Sequence, residues 1–305
     1  MKRSLLLTLF LIFSPSLFAV NILPKNYSGN VKFIQQIELK ANFEGYNFSE
    51  LSGLAYDSIH KRLYMVSDEG ILFAFKASFS NSNVTLQPLS AHYLKRKNGK
   101  RLKKSKRDSE DIVLNKKGEI FIEFEGKPKI AKFRKNGIKI KNIKLPKVLK
   151  NAKLRSKNKS LESLTFHPKY GFITALEYPQ KGDKREYQTL YSTSGKIWHI
   201  KLDPIKKNAI TAIEVMDDGN LLILERAFLG YFKGYTITLR KVFIHDCKKG
   251  ICKSQKILQM QSKEGWQLEN FEGLAKVGRG RYLLISDDNE NPFQRTLLLY
   301  LEIKK

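Results

Sequence analysis

The sequence predicts an all-β chain built as a ring of repeated four-stranded sheets, on three observations. One short wording recurs: Glu50-Leu-Ser-Gly-Leu-Ala55, Asp108-Ser-Glu-Asp-Ile-Val113, Ser160-Leu-Glu-Ser-Leu-Thr165 and Asn270-Phe-Glu-Gly-Leu-Ala275 each set a carboxylate just before or at the start of an apolar strand. A weaker copy is Thr211-Ala-Ile-Glu-Val215, and the five stand roughly 49 to 61 residues apart, a period of solenoids and propellers. Each copy continues as turn, second strand and a polar turn containing acids, the signature of short antiparallel strands joined by hairpins.

The elements follow in order. Met1-Lys2-Arg3, the apolar run Leu5 to Phe13 and Ser14-Pro-Ser-Leu-Phe-Ala19 have the layout of a signal peptide over residues 1–19, so the mature chain is expected to be periplasmic or secreted. That run is too short for a spanning helix, and no later stretch approaches the roughly 20 apolar residues one needs. Residues 20–305 read as a single domain, since repeat-built β folds of this length commonly are one. Val31 to Leu39 is a strand with no partner of its own. Placed beside the last repeat, it closes the ring and removes an exposed sheet edge.

The first repeat predicts strands at Leu51 to Tyr56, Arg62 to Ser67, Ile71 to Phe75 and Val84 to Tyr93. The second predicts Ile112 to Leu114, Glu119 to Phe124, Lys129 to Phe133 and Ile138 to Leu145, with Asn115-Lys-Lys-Gly118 and Lys135-Asn-Gly137 as turns. The third and fourth follow the same plan less cleanly. The fifth supplies only Phe271 to Lys276, Arg281 to Ser286 and Thr296 to Leu301, one strand short. The expectation is therefore a β-propeller of five four-stranded blades with the N-terminal strand closing the last. A sixth blade stays open if one long connection hides a degenerate repeat.

Cys247 and Cys252 are flanked by strand-like residues, and export permits a disulfide between them across a hairpin. The formal net charge is +27, which predicts attraction to anionic partners: envelope polymers or small anionic esters. Lys95 to Arg107 holds nine basic residues in thirteen, but no aromatic side chains interleave them as base stacking requires. With export, that sets nucleic acid aside. The oligomeric state is left open.

Because neighbouring strands in a blade are antiparallel, the start of strand one and the end of strand two share one end of the sheet. Acids at the first site are Glu50, Asp108, Glu110, Asp111, Glu162, Glu269 and Glu272; at the second, Asp68, Glu69, Glu123, Glu125, Glu177, Glu225, Asp287 and Asp288. The two sets hold 15 of 29 acidic residues in a chain where Lys and Arg number 56, and one ring face would gather them around the axis. Clustered carboxylates demand a compensating cation, and hard oxygen ligands favour Ca²⁺ or Mg²⁺. Glu50, Asp68, Asp108, Glu123, Glu177, Glu225, Asp287 and Asp288 are the candidate metal ligands, and Glu110, Glu162 and Glu272 the candidate catalytic carboxylates. Arg226 and Arg295 are candidates for an anionic substrate oxygen, with a structural ion pair as the competing role. No Gly-x-Ser-x-Gly elbow, Walker loop, His-Glu-x-x-His or EF-hand spacing is present, and the five histidines fall in turns and outer strands, so Ser-His hydrolysis is not supported.

At these residues the chain resembles the phytase-like family with an esterase-like activity, a set of exported bacterial propellers. The resemblance rests on Glu50-Leu-Ser-Gly-Leu-Ala-Tyr-Asp57 with Leu63-Tyr-Met-Val-Ser-Asp-Glu-Gly70, Asp108 to Val113, Leu221-Leu-Ile-Leu-Glu-Arg226, and Asn270 to Ala275 with Leu283-Leu-Ile-Ser-Asp-Asp-Asn289. Asp111 and Ser163 stand where the family pattern usually has Gly. The resemblance implies a propeller and hydrolysis of phosphate or other esters. Two functions lead: a metal-dependent ester or phosphoester hydrolase, or a non-catalytic, Ca²⁺-stabilised periplasmic module that binds anionic envelope components or a protein; a lactonase-type sugar-acid hydrolase is a third.

Overall fold

The computed structural model of this chain describes residues 18–19, 21–24, 27–156 and 159–304. Apart from Phe18–Ala19, the expected signal peptide lies outside the described residues. Strand β1 (Phe18–Ala19) pairs with β2 (Val31–Glu38), which crosses to the last strand of the chain, β21 (Leu297–Ile303), so that Val31 faces Ile303 and Glu38 faces Leu297. Blade one is β3 (Leu51–Asp57), β4 (Arg62–Ser67), β5 (Ile71–Phe79) and β6 (Val84–Tyr93). Blade two is β7 (Ser109–Leu114), β8 (Ile120–Phe124), β9 (Lys129–Phe133) and β10 (Lys139–Ile143). Blade three is β11 (Leu161–His167), β12 (Gly171–Leu176), β13 (Tyr187–Ser192) and β14 (Ile197–Lys201). Blade four is β15 (Ala209–Val215), β16 (Leu221–Phe228), β17 (Tyr235–Lys248) and β18 (Ile251–Gln261). Blade five is β19 (Asn270–Gly278), β20 (Arg281–Asp287) and β21, completed by β2.

The first strands pack in a closed circuit, β3 on β7, β7 on β11, β11 on β15, β15 on β19 and β19 back on β3. Five blades therefore complete the ring, and the sixth that the sequence left open is not needed to close it. Each gap between blades holds its own hydrophobic core. Met65, Phe73 and Leu298 fill the seam of blades five and one; Val66, Ile122 and Phe133 fill that of one and two. Phe121 and Phe172 meet between two and three, Trp198 and Ile223 between three and four, and Leu224 and Tyr282 between four and five. Because both faces of an inner strand are covered, β4, β8 and β12 are buried along nearly their whole length, which explains why they read as apolar runs and not as alternations.

The seams are also hydrogen-bonded. Gly53 lets blade two approach so closely that an added Cβ would stand 2.6 Å from Asp111 Oδ1 and 2.7 Å from its Cα. Asp111 in turn reaches blade three, where its carboxylate accepts the Leu164 N–H at 2.7 Å. Glu214 does the same from blade four to five, accepting the Lys276 N–H at 3.1 Å. Blades three and four are further joined by a clasp: the β17–β18 hairpin outruns its blade and lays β18 parallel to β14, Ile251 opposite His199 and Cys252 opposite Ile200. Cys247 faces Cys252 across that hairpin and is disulfide-bonded to it. Among the described residues no helix is long and apolar enough to cross a membrane.

Candidate metal and ester site

In all five blades the ladder between strands one and two skips one residue of strand one near its start. The register shifts between Leu51 and Gly53, Ser109 and Asp111, Leu161 and Ser163, Ile210 and Ala212, and Phe271 and Gly273. A bulge leaves one residue unpaired and re-aims its side chain. The bulged residues are Ser52, Glu110, Glu162, Thr211 and Glu272, so the three candidate catalytic carboxylates share one structural position. On strand two, the residue that follows the partner of the one just before the bulge is Asp68, Glu125, Glu177, Arg226 and Asp287 in blades one to five. Two residues before each bulge stand Glu50, Asp108, Ser160, Ala209 and Asn270. Three tiers of five thus surround one mouth of the axis, and blade four contributes no carboxylate to any of them.

The tiers interact. Oxygens of Asp108, Glu110 and Glu125 lie within 4.8 Å of one another, as do those of Glu125, Glu162 and Glu177. Burial, then Asp68 and Glu162, push Glu110 well above the usual carboxylate range; burial, then Glu177 and Glu125, do the same to Glu162. Asp68 is also well raised, by burial and then Glu272 and Asp287, although the Ser52 hydroxyl donates to it. Asp287 is pushed up to about 8 by burial and then Glu272, against the Asn289 N–H. At the rim, burial and then Glu290 and Glu69 raise Glu50, a residue held at a left-handed φ of 52°.

Few cations answer these acids. The Lys159 ammonium lies 2.9 Å from Glu177, and burial leaves Asp108 raised although Lys129, the Gly126 N–H and Arg107 oppose it. Lys129 itself sits over the Phe124 ring at 3.7 Å and is lowered to about 7 by burial, then Lys139 and Lys106. Arg226, from blade four, spans the mouth: it donates to Asn270 at 2.7 Å and pairs with Glu272 at 3.2 Å and Glu177 at 3.6 Å. Burial opposes its charge, but Glu272, Glu162 and Glu177 outweigh it and hold the guanidinium above its ordinary range.

Not every sequence candidate joins this cluster. Glu123 lies two residues before the mouth position Glu125 and turns into the seam, accepting the Thr174 hydroxyl at 2.7 Å. Glu225 is one residue short and points into its own blade, where Asn208 donates at 2.7 Å and Arg240 pairs with it. Asp288 is one residue beyond and saturated: Ser49 Oγ, the Glu50 N–H and Thr296 Oγ1 all donate to it, which lowers its pKa despite burial. Arg295 pairs with Glu269 at 2.8 Å outside the cluster. The reverse holds for Glu125: it belongs to both oxygen triads, yet the sequence reading put it among the face acids without naming it a ligand. Only the register set by the bulge separates Glu125 from Glu123 and Arg226 from Glu225.

The opposite mouth differs. A cavity of about 630 Å³ there is lined by the far ends of the five first strands, including Tyr56, Leu114, His167, Met216 and Gly278. Its acids are already engaged, Glu214 by backbone N–H groups and Asp217 by Lys276 at 2.7 Å and the Gly280 N–H at 2.8 Å.

Fold and mouth together define a β-propeller with a carboxylate-lined axial site. The chain belongs to the Phytase-like family (esterase-like activity of phytase), whose pattern matches residues 47–290. No curated protein sequence matches it. Among solved structures it is similar to virginiamycin B lyase from Staphylococcus aureus (11% identity, TM-score 0.42, 89% of this chain and 99% of that one). Another is the calcium-binding protein regucalcin from Agrobacterium tumefaciens (10% identity, TM-score 0.44, 84% and 91%). Likeness at this level says nothing about the chemistry of the site.

Proposed function

We propose that this protein is an exported, divalent-cation-dependent hydrolase of anionic esters or phosphoesters, acting at the carboxylate mouth. The observation that supports it is the pair of overlapping oxygen triads, buried and under-compensated by cations. Donors of that kind fit Ca²⁺ or Mg²⁺, which take carboxylate oxygens. Asp108, Glu110, Glu125, Glu162 and Glu177 would hold the ion, with Asp68 and Asp287 completing the ring beside them. When bound, it supplies Lewis acidity toward an ester oxygen.

The chain's own residues do the rest. Arg226 can turn from Glu177 to an anionic substrate oxygen without leaving Glu272, because its two terminal nitrogens already serve different partners. Glu272, oriented by Asn270 and Arg226, takes a proton at its carboxylate from the attacking water. The net charge of +27 draws anionic esters toward the ring.

Purified protein assayed on p-nitrophenyl phosphate, p-nitrophenyl acetate and phytate, with Ca²⁺ and with chelator, tests the reading. Glu125→Gln should abolish both cation-dependent turnover and the cation-induced rise in melting temperature. Glu272→Gln should keep that rise and lose roughly 100-fold or more in turnover, the scale of general base catalysis. A cation-induced rise with no turnover of any ester would leave the other function standing, a non-catalytic periplasmic module stabilised by Ca²⁺.

A further inference from the structure

Beside the carboxylate mouth, the loop 229–234 of blade four and the loop 288–296 of blade five carry three highly exposed aromatic side chains. Tyr231 is 92% exposed, Phe232 106% and Phe293 92%. The loops are ordered at their bases: Leu229 N–H donates to Gly234 at 2.9 Å, Gly234 N–H to Gly230 at 2.8 Å, and Asn291 N–H to Asp288 at 2.8 Å. They are also tied together, since the Gln294 amide donates to the Tyr235 hydroxyl at 3.0 Å, Tyr235 lies tilted against Phe228 with ring centroids 5.0 Å apart, and Tyr231 meets Phe228 edge-on at 5.7 Å. Large apolar groups exposed singly are ordinary, but three at the tips of two linked, ordered loops need a partner.

We propose that these tips insert into the headgroup region of an anionic lipid bilayer, setting the carboxylate mouth against the membrane surface. A protein partner would need a cavity for each convex tip, whereas a bilayer interface accepts isolated Tyr and Phe rings without a matching shape. The charge is complementary to an anionic leaflet: the chain carries +27, and Lys233 and Lys263 are exposed at the loops, where the Ser262 hydroxyl accepts the Tyr235 N–H at 3.0 Å. Glu264 and Glu290 offset those two lysines locally, so attraction comes from the field of the whole molecule and the tips supply the anchor. Apolar insertion and electrostatic attraction are the two signals that together give stable peripheral binding. The inference stands apart from the hydrolase reading and survives its failure.

The test is flotation of the purified full chain with vesicles of phosphatidylcholine alone and of phosphatidylcholine mixed with phosphatidylglycerol. The wild type should bind the mixed vesicles and not the neutral ones, and a Tyr231→Ser/Phe232→Ser/Phe293→Ser variant should bind roughly tenfold or more weakly while melting with the wild type. Phe232→Trp should show blue-shifted emission on mixed vesicles, a readout that decides the matter even if the triple variant misfolds. Equal binding by the triple variant, an unshifted Phe232→Trp spectrum or no binding by the wild type would overturn the proposal. So would a vesicle-free wild-type dimer that the triple variant converts to monomer, since a second copy would then cover the tips.

Discussion

Blade four and its neighbours start from the same repeat and end with opposite electrostatics. At the three equivalent positions blades two and three place Asp108, Glu110, Glu125, Glu162 and Glu177, whereas blade four places Ala209, Thr211 and Arg226. The weak copy in the sequence is therefore the one that makes the mouth asymmetric: four blades offer oxygen ligands and the fifth offers a cation that reaches across to them. A ring of five acid blades would bind cations alone. With one blade reversed, the mouth sets a guanidinium beside clustered carboxylates, the arrangement the proposed hydrolysis would use.

The sharpest way to break this comparison is to remove the reversed sign. Arg226→Leu should destabilise the chelator-treated protein by about 3 to 5 kcal/mol, the range for stripping one partner from a buried ion pair. Urea denaturation measures the loss, and added Ca²⁺ should restore part of it by compensating the same carboxylates.

Next comes pH. Asp287 moves from an ordinary 3.8 to about 8 in the fold, with Glu110, Glu162 and Asp68 shifted in the same direction. A carboxyl raised on folding contributes fully below its unfolded value and loses that contribution as pH climbs through its folded one. The metal-free protein should therefore lose stability from pH about 4 to about 8, and Ca²⁺ should flatten the decline. Melting curves across that window with and without chelator decide it; an equal slope in both would argue against an ion at the acids.

The clasp between blades three and four gives a smaller effect. Cys247→Ser/Cys252→Ser should lower stability by about 2 kcal/mol, the chain-entropy value for so short a loop, and should loosen amide protection along β14 and β18 before the inner strands. Hydrogen exchange reads where the loss falls.

The finest contrast lies between two hydroxyls at the bulge. Ser52 donates to Asp68, whereas Thr211 Oγ1 is buried with no partner. Ser52→Ala should cost about 1 kcal/mol and Thr211→Val should be neutral or stabilising by up to about 1 kcal/mol, both measured by thermal melting.

The repeats were legible because burial on both faces and antiparallel hairpins leave local marks: apolar runs, Gly- and Asn-containing turns and a constant period. The strand edges at Arg62, Val84, Lys129 and Arg281 and the closure by the strand from Val31 followed from those marks. The site was legible only as a composition, acids at strand ends. Glu123 against Glu125, and Glu225 against Arg226, differ by one or two residues, and a one-residue step turns a side chain to another face. Nothing in the local wording said which neighbour was aimed at the axis. Asp111 shares the strand-one start with Glu110, yet the bulge sends the two apart, Glu110 to the axis and Asp111 to the Leu164 N–H.

The sequence by itself determined the all-β class, the repeats, the closing strand and the gathering of acids toward one end of the sheets, since each depends on patterns within a few dozen residues. Tertiary structure alone decided which acids share a mouth, that Arg226 crosses it and that three aromatic tips stand beside it. Those facts depend on bulge register and on blades separated by most of the chain, and distances of that kind are written in no local segment.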